Sequence, residues 1–134
     1  MSRLYLPLAL LLAAVVSPLW AADDDTPKAA KTRTLLKEKI TVDFKDLRLE
    51  DCLDEIKEQV KGLKIVLDTK GGVSRNLTIT FAAKDKPVED VLDGMFKKNG
   101  LGYIVISKKN NAYDGLVQIK QGSERGYEKG KEPK

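Results

Sequence analysis

Six carboxylates at matched spacing are the first candidates for chemistry: Glu50, Asp51 and Asp54, then Glu89, Asp90 and Asp93. General acid–base work would need two of them to converge in one cleft with their proton affinities pushed apart. Each triplet instead opens a predicted helix, where negative charge complements the helix dipole, so the six read as solvated first-turn acids. Cys52 is the single cysteine, and the chain has no histidine to activate it as a nucleophile. It falls on an apolar helical stripe, which points to a buried structural thiol; an intermolecular disulfide would need that face exposed. The absence of histidine also removes the commonest metal ligand. Gly71-Gly72, beside Lys70, Ser74 and Arg75, fits neither a P-loop nor a dinucleotide fingerprint. No helix begins there to hold a phosphate, so the segment reads as a mobile loop. Asn76-Leu77-Thr78 has the glycosylation pattern but lies at a strand start. No catalytic, metal or cofactor-binding residue is assigned. The expectation is a protein that is not an enzyme and uses no cofactor.

The charge balance narrows the partner. The chain carries 24 Lys and Arg against 20 Asp and Glu, a net charge of +4, with both signs interleaved. Lys64, Lys70, Lys84, Lys86, Lys97, Lys98, Lys108 and Lys109 are spread over predicted helices and turns and make no stripe. With Tyr103 and Tyr113 nearby in sequence they still do not form a nucleic-acid footprint, and no nucleic-acid partner is expected.

Those residues are positioned by alternating elements. Ile40 to Phe44 alternates apolar and polar, the period of a half-buried strand. Leu49, Cys52, Leu53, Ile56 and Val60 then fall on one helical face, Gly62 stops that helix, and Leu63 to Leu67 reads as a strand. The pattern repeats: strand Leu77 to Phe81, Pro87 as a first helical residue, an apolar face of Val88, Val91, Leu92, Met95 and Phe96, the stop Asn99-Gly100, and strand Leu101 to Ser107. Lys108 to Asn111 turns the chain, and Leu116 to Ile119 returns as a hairpin partner.

The two halves match in order and in residues. Leu49-Glu50-Asp51-Cys52-Leu53-Asp54 aligns with Val88-Glu89-Asp90-Val91-Leu92-Asp93 at a separation of 39 positions, and Thr41 to Phe44 aligns with Thr78 to Phe81 at 37. The fold class expected is therefore α+β, a duplicated βαβ-type unit in the order β-α-β-β-α-β-β with two helices packed against small sheets. One unit alone could not cover its apolar face; two can bury theirs against each other.

The ends read differently. Arg3, the apolar run Leu4 to Val16, the break Ser17-Pro18 and the small residues Ala21-Ala22 have the layout of a secretory signal peptide over residues 1–21, cut after Ala21 or Ala22. The apolar run is about 13 residues, short of the ~20 a spanning helix needs, so no stable membrane span is expected after cleavage. Residues 22–38 are expected to be a flexible linker, residues 39–120 the folded domain and residues 121–134 a disordered charged tail. The location implied is the periplasm or cell surface.

At the helix motifs the chain resembles the secretin and TonB short N-terminal domain family. The first half offers Leu49-Glu50-Asp51-Cys52-Leu53 and Gln59-Val60-Lys61-Gly62-Leu63; the second offers Val88-Glu89-Asp90-Val91-Leu92 and Asn99-Gly100-Leu101-Gly102-Tyr103. The likeness spans Ile40 to Ile119. It departs where two residues instead of one separate Gln59 from Gly62, and where Cys52 replaces a small Ala. The resemblance implies a stand-alone exported domain, non-catalytic, that contacts another envelope protein as an accessory to a secretion or transport assembly. The open edges of Ile40–Phe44 or Leu116–Ile119 would be docking sites by strand addition. The alternative is a small-ligand or cell-wall-binding domain, with Tyr103 and Tyr113 as a sugar-stacking surface.

Overall fold

The structure is a computed structural model that describes residues 25–131; the expected signal peptide lies outside the described residues. The elements run α1 (Pro27–Leu35), β1 (Lys39–Arg48), α2 (Leu49–Gln59), β2 (Ile65–Leu67), β3 (Thr78–Pro87), α3 (Val88–Phe96), β4 (Leu101–Val105), β5 (Val117–Gln121) and β6 (Arg125–Gly126). Two sheets form: β1 with β3, and a four-stranded sheet in the order β2-β5-β4-β6. The fold is α+β, and the two duplicated units are laid out in it as equivalent halves. Among the described residues no helix is long and apolar enough to cross a membrane.

The β1–β3 ladder carries the duplication in its register. Ile40 pairs with Lys86 and Leu47 with Ile79; Lys39 pairs with Pro87 and Arg48 with Thr78; Val42 pairs with Ala83 and Phe44 with Phe81. Moving every residue by 39 positions turns the first member of each couple into the second, and leaves Asp43↔Ala82 on itself. The ladder is thus a pseudo-two-fold whose axis passes through that pair. The strands align at 39, like the helices, and not at the 37 read from the sequence, because the Phe44/Phe81 likeness is a cross-strand contact rather than an equivalence.

The same operation relates the breaks in the ladder. One residue is inserted in each strand, at Asp46 (φ 49°) and Asp85 (φ 55°). Aspartate tolerates this left-handed backbone better than most residues. Asp46 donates its N–H to Thr80 Oγ at 3.0 Å, and Asp85 donates to Thr41 Oγ at 3.0 Å. Each bulge turns its strand directly into the helix that follows.

Helices α2 and α3 start without a side-chain cap. Their first N–H groups go to backbone carbonyls across the axis instead: Leu49 to Leu77 O (2.7 Å), Glu50 to Arg75 O (3.2 Å), Val88 to Glu38 O (3.0 Å) and Glu89 to Leu36 O (2.9 Å). That satisfies donors a helix end leaves orphaned. Pro87 closes β3 and precedes the helix, one position earlier than the sequence suggested.

Both helix stripes are buried as predicted: Leu49, Cys52, Ile56, Val88, Val91, Leu92 and Phe96 are all fully inaccessible. They meet Ile40, Val42 and Phe44 of β1 and Val117 and Ile119 of β5 in one core. At ~1.5–3 kcal/mol for each large side chain removed from water, this shared core is the main term holding the halves together.

Two expectations at the ends are corrected. Residues 27–35, expected within a flexible linker, are a helix, and Ala29 and Leu36 join the core. Thr26 caps it, accepting from Ala29 N at 3.1 Å, with Pro27 in the first turn. This helix has no apolar stripe because it docks largely through polar groups: Thr26 Oγ on Asp114 (2.6 Å), Thr26 N on Ser107 Oγ (2.9 Å) and Thr32 Oγ on the Gly115 carbonyl. Beyond residue 120, in the expected disordered tail, β5 continues to Gln121 and β6 adds to β4. Arg33 ties the two ends together, bonding Asp25 (2.8 Å) and the Gly126 carbonyl (2.8 Å) and lying 3.7 Å over the Tyr127 ring.

Candidate functional site

The carboxylate triplets do not converge. Asp51 pairs with Arg48 (3.0 Å), Asp54 with Lys57 (3.3 Å), Glu89 with Lys37 (3.6 Å) and Asp93 with Arg125 (2.7 Å), all at the surface. Cys52 is inaccessible, its Sγ 3.7 Å from the Leu47 carbonyl, and burial pushes its thiol up to about 12, with Glu55 and Asp51 adding to the effect. The Gly71-Gly72 loop is held by one side chain of its own and one from β5: Gly71 N–H donates to Asp68 Oδ1 (3.0 Å), and Gln121 Nε2 donates to the Gly72 carbonyl (3.0 Å). Tyr103 is buried edge-on to Phe96 at 6.4 Å, whereas Tyr113 is 60% exposed. The two tyrosines therefore do not make one stacking surface.

Of the two docking edges named from sequence, Leu116–Ile119 is closed by strands on both sides and Ile40–Phe44 is blocked at Thr41. Leu116–Ile119 leads into β5, which has β2 on one side and β4 on the other. On β1, the Gln59 carboxamide occupies the outer edge at Thr41, accepting from its N–H (3.3 Å) and donating to its carbonyl (2.8 Å). A side-chain amide standing in for a neighbouring strand is an edge-blocking device. Lys98, the residue at the equivalent place in the second half, has no carboxamide to do the same.

Among the described residues, the outer edge of β2 in the larger sheet pairs with no strand. Val117 N donates to Lys64 O (2.9 Å) and Asp68 N to Ile119 O (2.8 Å), so the even-numbered residues of this strand face β5. Ile65 and Leu67 turn their backbone groups outward; among the described residues only the Leu67 carbonyl is taken, by Thr69 N–H at 2.9 Å. Beside this edge lies a groove of about 430 Å³ between α2 and β2. Its apolar lining is Leu53, Ile65, Val66 and Leu67, and its charged rim is Glu50, Asp54, Lys57 and Arg75. The strand residues are half-buried and Leu53 is 4% exposed.

The pseudo-two-fold gives this groove a counterpart, and there it is filled. The second half is one residue shorter between helix and strand, so the stops Gly62 and Gly100 stand 38 apart and β4 corresponds to β2 with Tyr103 in the place of Ile65; its outer edge carries β6 in parallel: Tyr103↔Arg125 and Ile104↔Gly126. Tyr103 N–H donates to Glu124 O at 3.0 Å. Arg125 reaches across to α3, its Nε 2.7 Å from Asp93 and its Nη1 3.0 Å from the Leu101 carbonyl. Gly102 is what lets β6 approach, since a Cβ there would meet the Glu124 backbone N at 2.6 Å. Glu124 is itself buried and pairs with Lys120 at 3.5 Å; its own backbone N–H holds its carboxyl below the usual range.

Sequence reasoning missed this site because β2 is three residues long and its importance lies in what does not pair with it. Thr26-Pro27, a cap followed by a first-turn proline, was the available signal for α1. Tyr127 and the glycines at 122 and 126 were the signals for β6.

Comparison with known proteins finds no matching family model, no matching curated protein and no matching solved structure.

Proposed function

We propose that this chain is a non-catalytic protein-interaction module of the cell envelope, which takes an extended segment of another envelope protein by strand addition at the β2 edge. The observation that carries the reading is the contrast between equivalent places: the α3–β4 edge holds a strand, and the α2–β2 edge, with a groove of apolar floor and charged rim beside it, holds none among the described residues. Main-chain bonds to Ile65 and Leu67 would supply affinity, and the groove over Leu53 would accept alternate side chains of the incoming strand. The duplicated α+β body and the helix-opening motifs support a role like that of the secretin and TonB short N-terminal domains. The signal-peptide layout of residues 1–21 supports export to the periplasm or cell surface, as an accessory to a secretion or transport assembly.

Selection of random peptides displayed on phage against the intact protein tests this. Enriched peptides are expected to lose binding when Leu53→Lys or Val66→Lys is introduced into the groove, while an exposed control such as Lys109→Ala leaves binding unchanged. Enriched peptides that bind all variants equally would move the site elsewhere and defeat the reading.

A further inference from the structure

The molecule contains its own template for the occupant of the β2 groove. β6 runs parallel to β4, places a small residue beside Ile104, and sends an arginine onto the helix acid Asp93 and back onto the strand carbonyl of Leu101. Each of these partners has an equivalent in the first half: Val66 for Ile104, Asp54 for Asp93 and Leu63 for Leu101. The equivalents are in place. Asp54 stands on the groove rim, exposed and held only by the i,i+3 pairing with Lys57 at 3.3 Å, in which the Asp54 side chain is 59% exposed. The groove rim is balanced, Glu50 and Asp54 against Lys57 and Arg75, and the acidic excess lies along the outer side of the helix. The exposed side of α2 carries Glu50, Asp51, Asp54, Glu55 and Glu58 against Lys57 alone.

From this we infer that the β2 groove selects an extended, arginine-bearing segment: one running parallel to β2, with the arginine paired to Asp54 and a small residue next to it facing Val66. The inference rests on the protein-interaction reading above and adds direction, charge and register to it. Arginine fits better than lysine because its planar fork can bond the carboxylate and a carbonyl together, as Arg125 does. The incoming backbone carbonyl would take the Ile65 N–H, as Glu124 O takes that of Tyr103.

The probe is a synthetic peptide, Gly-Ser-Glu-Arg-Gly-Tyr-Glu, copying residues 122–128, titrated into the isotope-labelled full-length protein and followed by amide chemical shifts. A second peptide carries glutamate in place of the arginine. The arginine peptide is expected to shift Leu53, Ile65 and Leu67. Its affinity should fall about tenfold on Asp54→Asn, the loss expected for a charge-assisted hydrogen bond, and by at least as much for the glutamate peptide. Asp54 is exposed, so the substitution leaves the fold intact, and unchanged shifts elsewhere in the spectrum verify this. Equal binding of both peptides at Ile65 and Leu67 would overturn the arginine inference and leave the interaction reading standing. No shift at those residues with either peptide would overturn both. Shifts at Tyr103 and Arg125 instead would mean the peptide only exchanges with β6, which also overturns the inference. Concentration-dependent shifts at Ile65 and Leu67 without peptide, lost on Asp54→Lys, would assign the groove to the tail of a second copy and overturn the case for a separate partner.

Discussion

The two halves of this protein share a ladder, a pair of bulges and a pair of backbone-capped helices, yet they differ in what covers them. In the second half the β4 edge is covered. α1 and β6 lie over β4, every residue of β4 is buried, and Phe96 fills the space where α3 meets Tyr103. The first half stops short: β2 has one neighbour, and the residue equivalent to Phe96 is Lys57, on the rim of an open groove. The difference teaches that a duplicated unit can be made asymmetric by terminal segments alone. One copy becomes scaffold and the other keeps an edge available.

The largest test of that contrast is the Phe96/Lys57 pair. Phe96→Ala should cost about 3–5 kcal/mol, as expected for an aromatic removed from a packed core, whereas Lys57→Ala should stay within about 0.5 kcal/mol. Urea unfolding of both variants checks it, and similar losses at the two positions would break the comparison. Next is Gly102. A methyl group there would press on the Glu124 backbone, so Gly102→Ala should cost about 1–3 kcal/mol and release amide exchange at Arg125 and Gly126. Lys64→Ala, at the equivalent exposed place on the first half, should change neither.

Each half also hides one group that resists ionisation. Burial raises Cys52 from 9.0 to about 12, and burial with Glu89 nearby raises Tyr103 from 10.0 to about 12. The folded state favours both neutral forms. Their contribution to stability is therefore complete below about pH 9 and is lost as pH climbs toward about 12. Urea midpoints should fall between about pH 9 and about pH 11, and Cys52→Ala should flatten the earlier part of the fall. A midpoint that holds constant over this range would show that neither group is sequestered. The smallest effect belongs to Gln59. Gln59→Ala should cost no more than about 1 kcal/mol, since its two bonds are exposed, but should speed exchange of the Thr41 amide. Lys98→Ala should leave Thr80 unchanged, because no carboxamide blocks that edge.

Much of the duplicated body was legible before any coordinates. The stripes beginning at Leu49 and Val88, the stops at Gly62 and Gly100 (φ +93° and +67°) and the hairpin from β4 to β5 follow from periodicity and turn chemistry, which are local. The equivalence of Asp46 with Asp85 was not legible, because a bulge is defined by pairing and the Phe44/Phe81 likeness pulled the alignment off by two positions. The ends were misread for a related reason. Apolar periodicity detects helices that dock by hydrophobic faces, and α1 docks through Thr26, Thr32 and Arg33.

The sequence by itself determined the two amphipathic helices, their charged outer faces and the fact that two units must share one core, since each leaves apolar area that only the other can cover. Only the tertiary structure decided which strand edges are closed. Edge closure depends on backbone groups meeting partners from distant parts of the chain, Gln59 on Thr41 and Arg125–Gly126 on β4, and no local pattern encodes such a meeting. The open edge at β2, and with it the proposed site, exists because no described segment lies there.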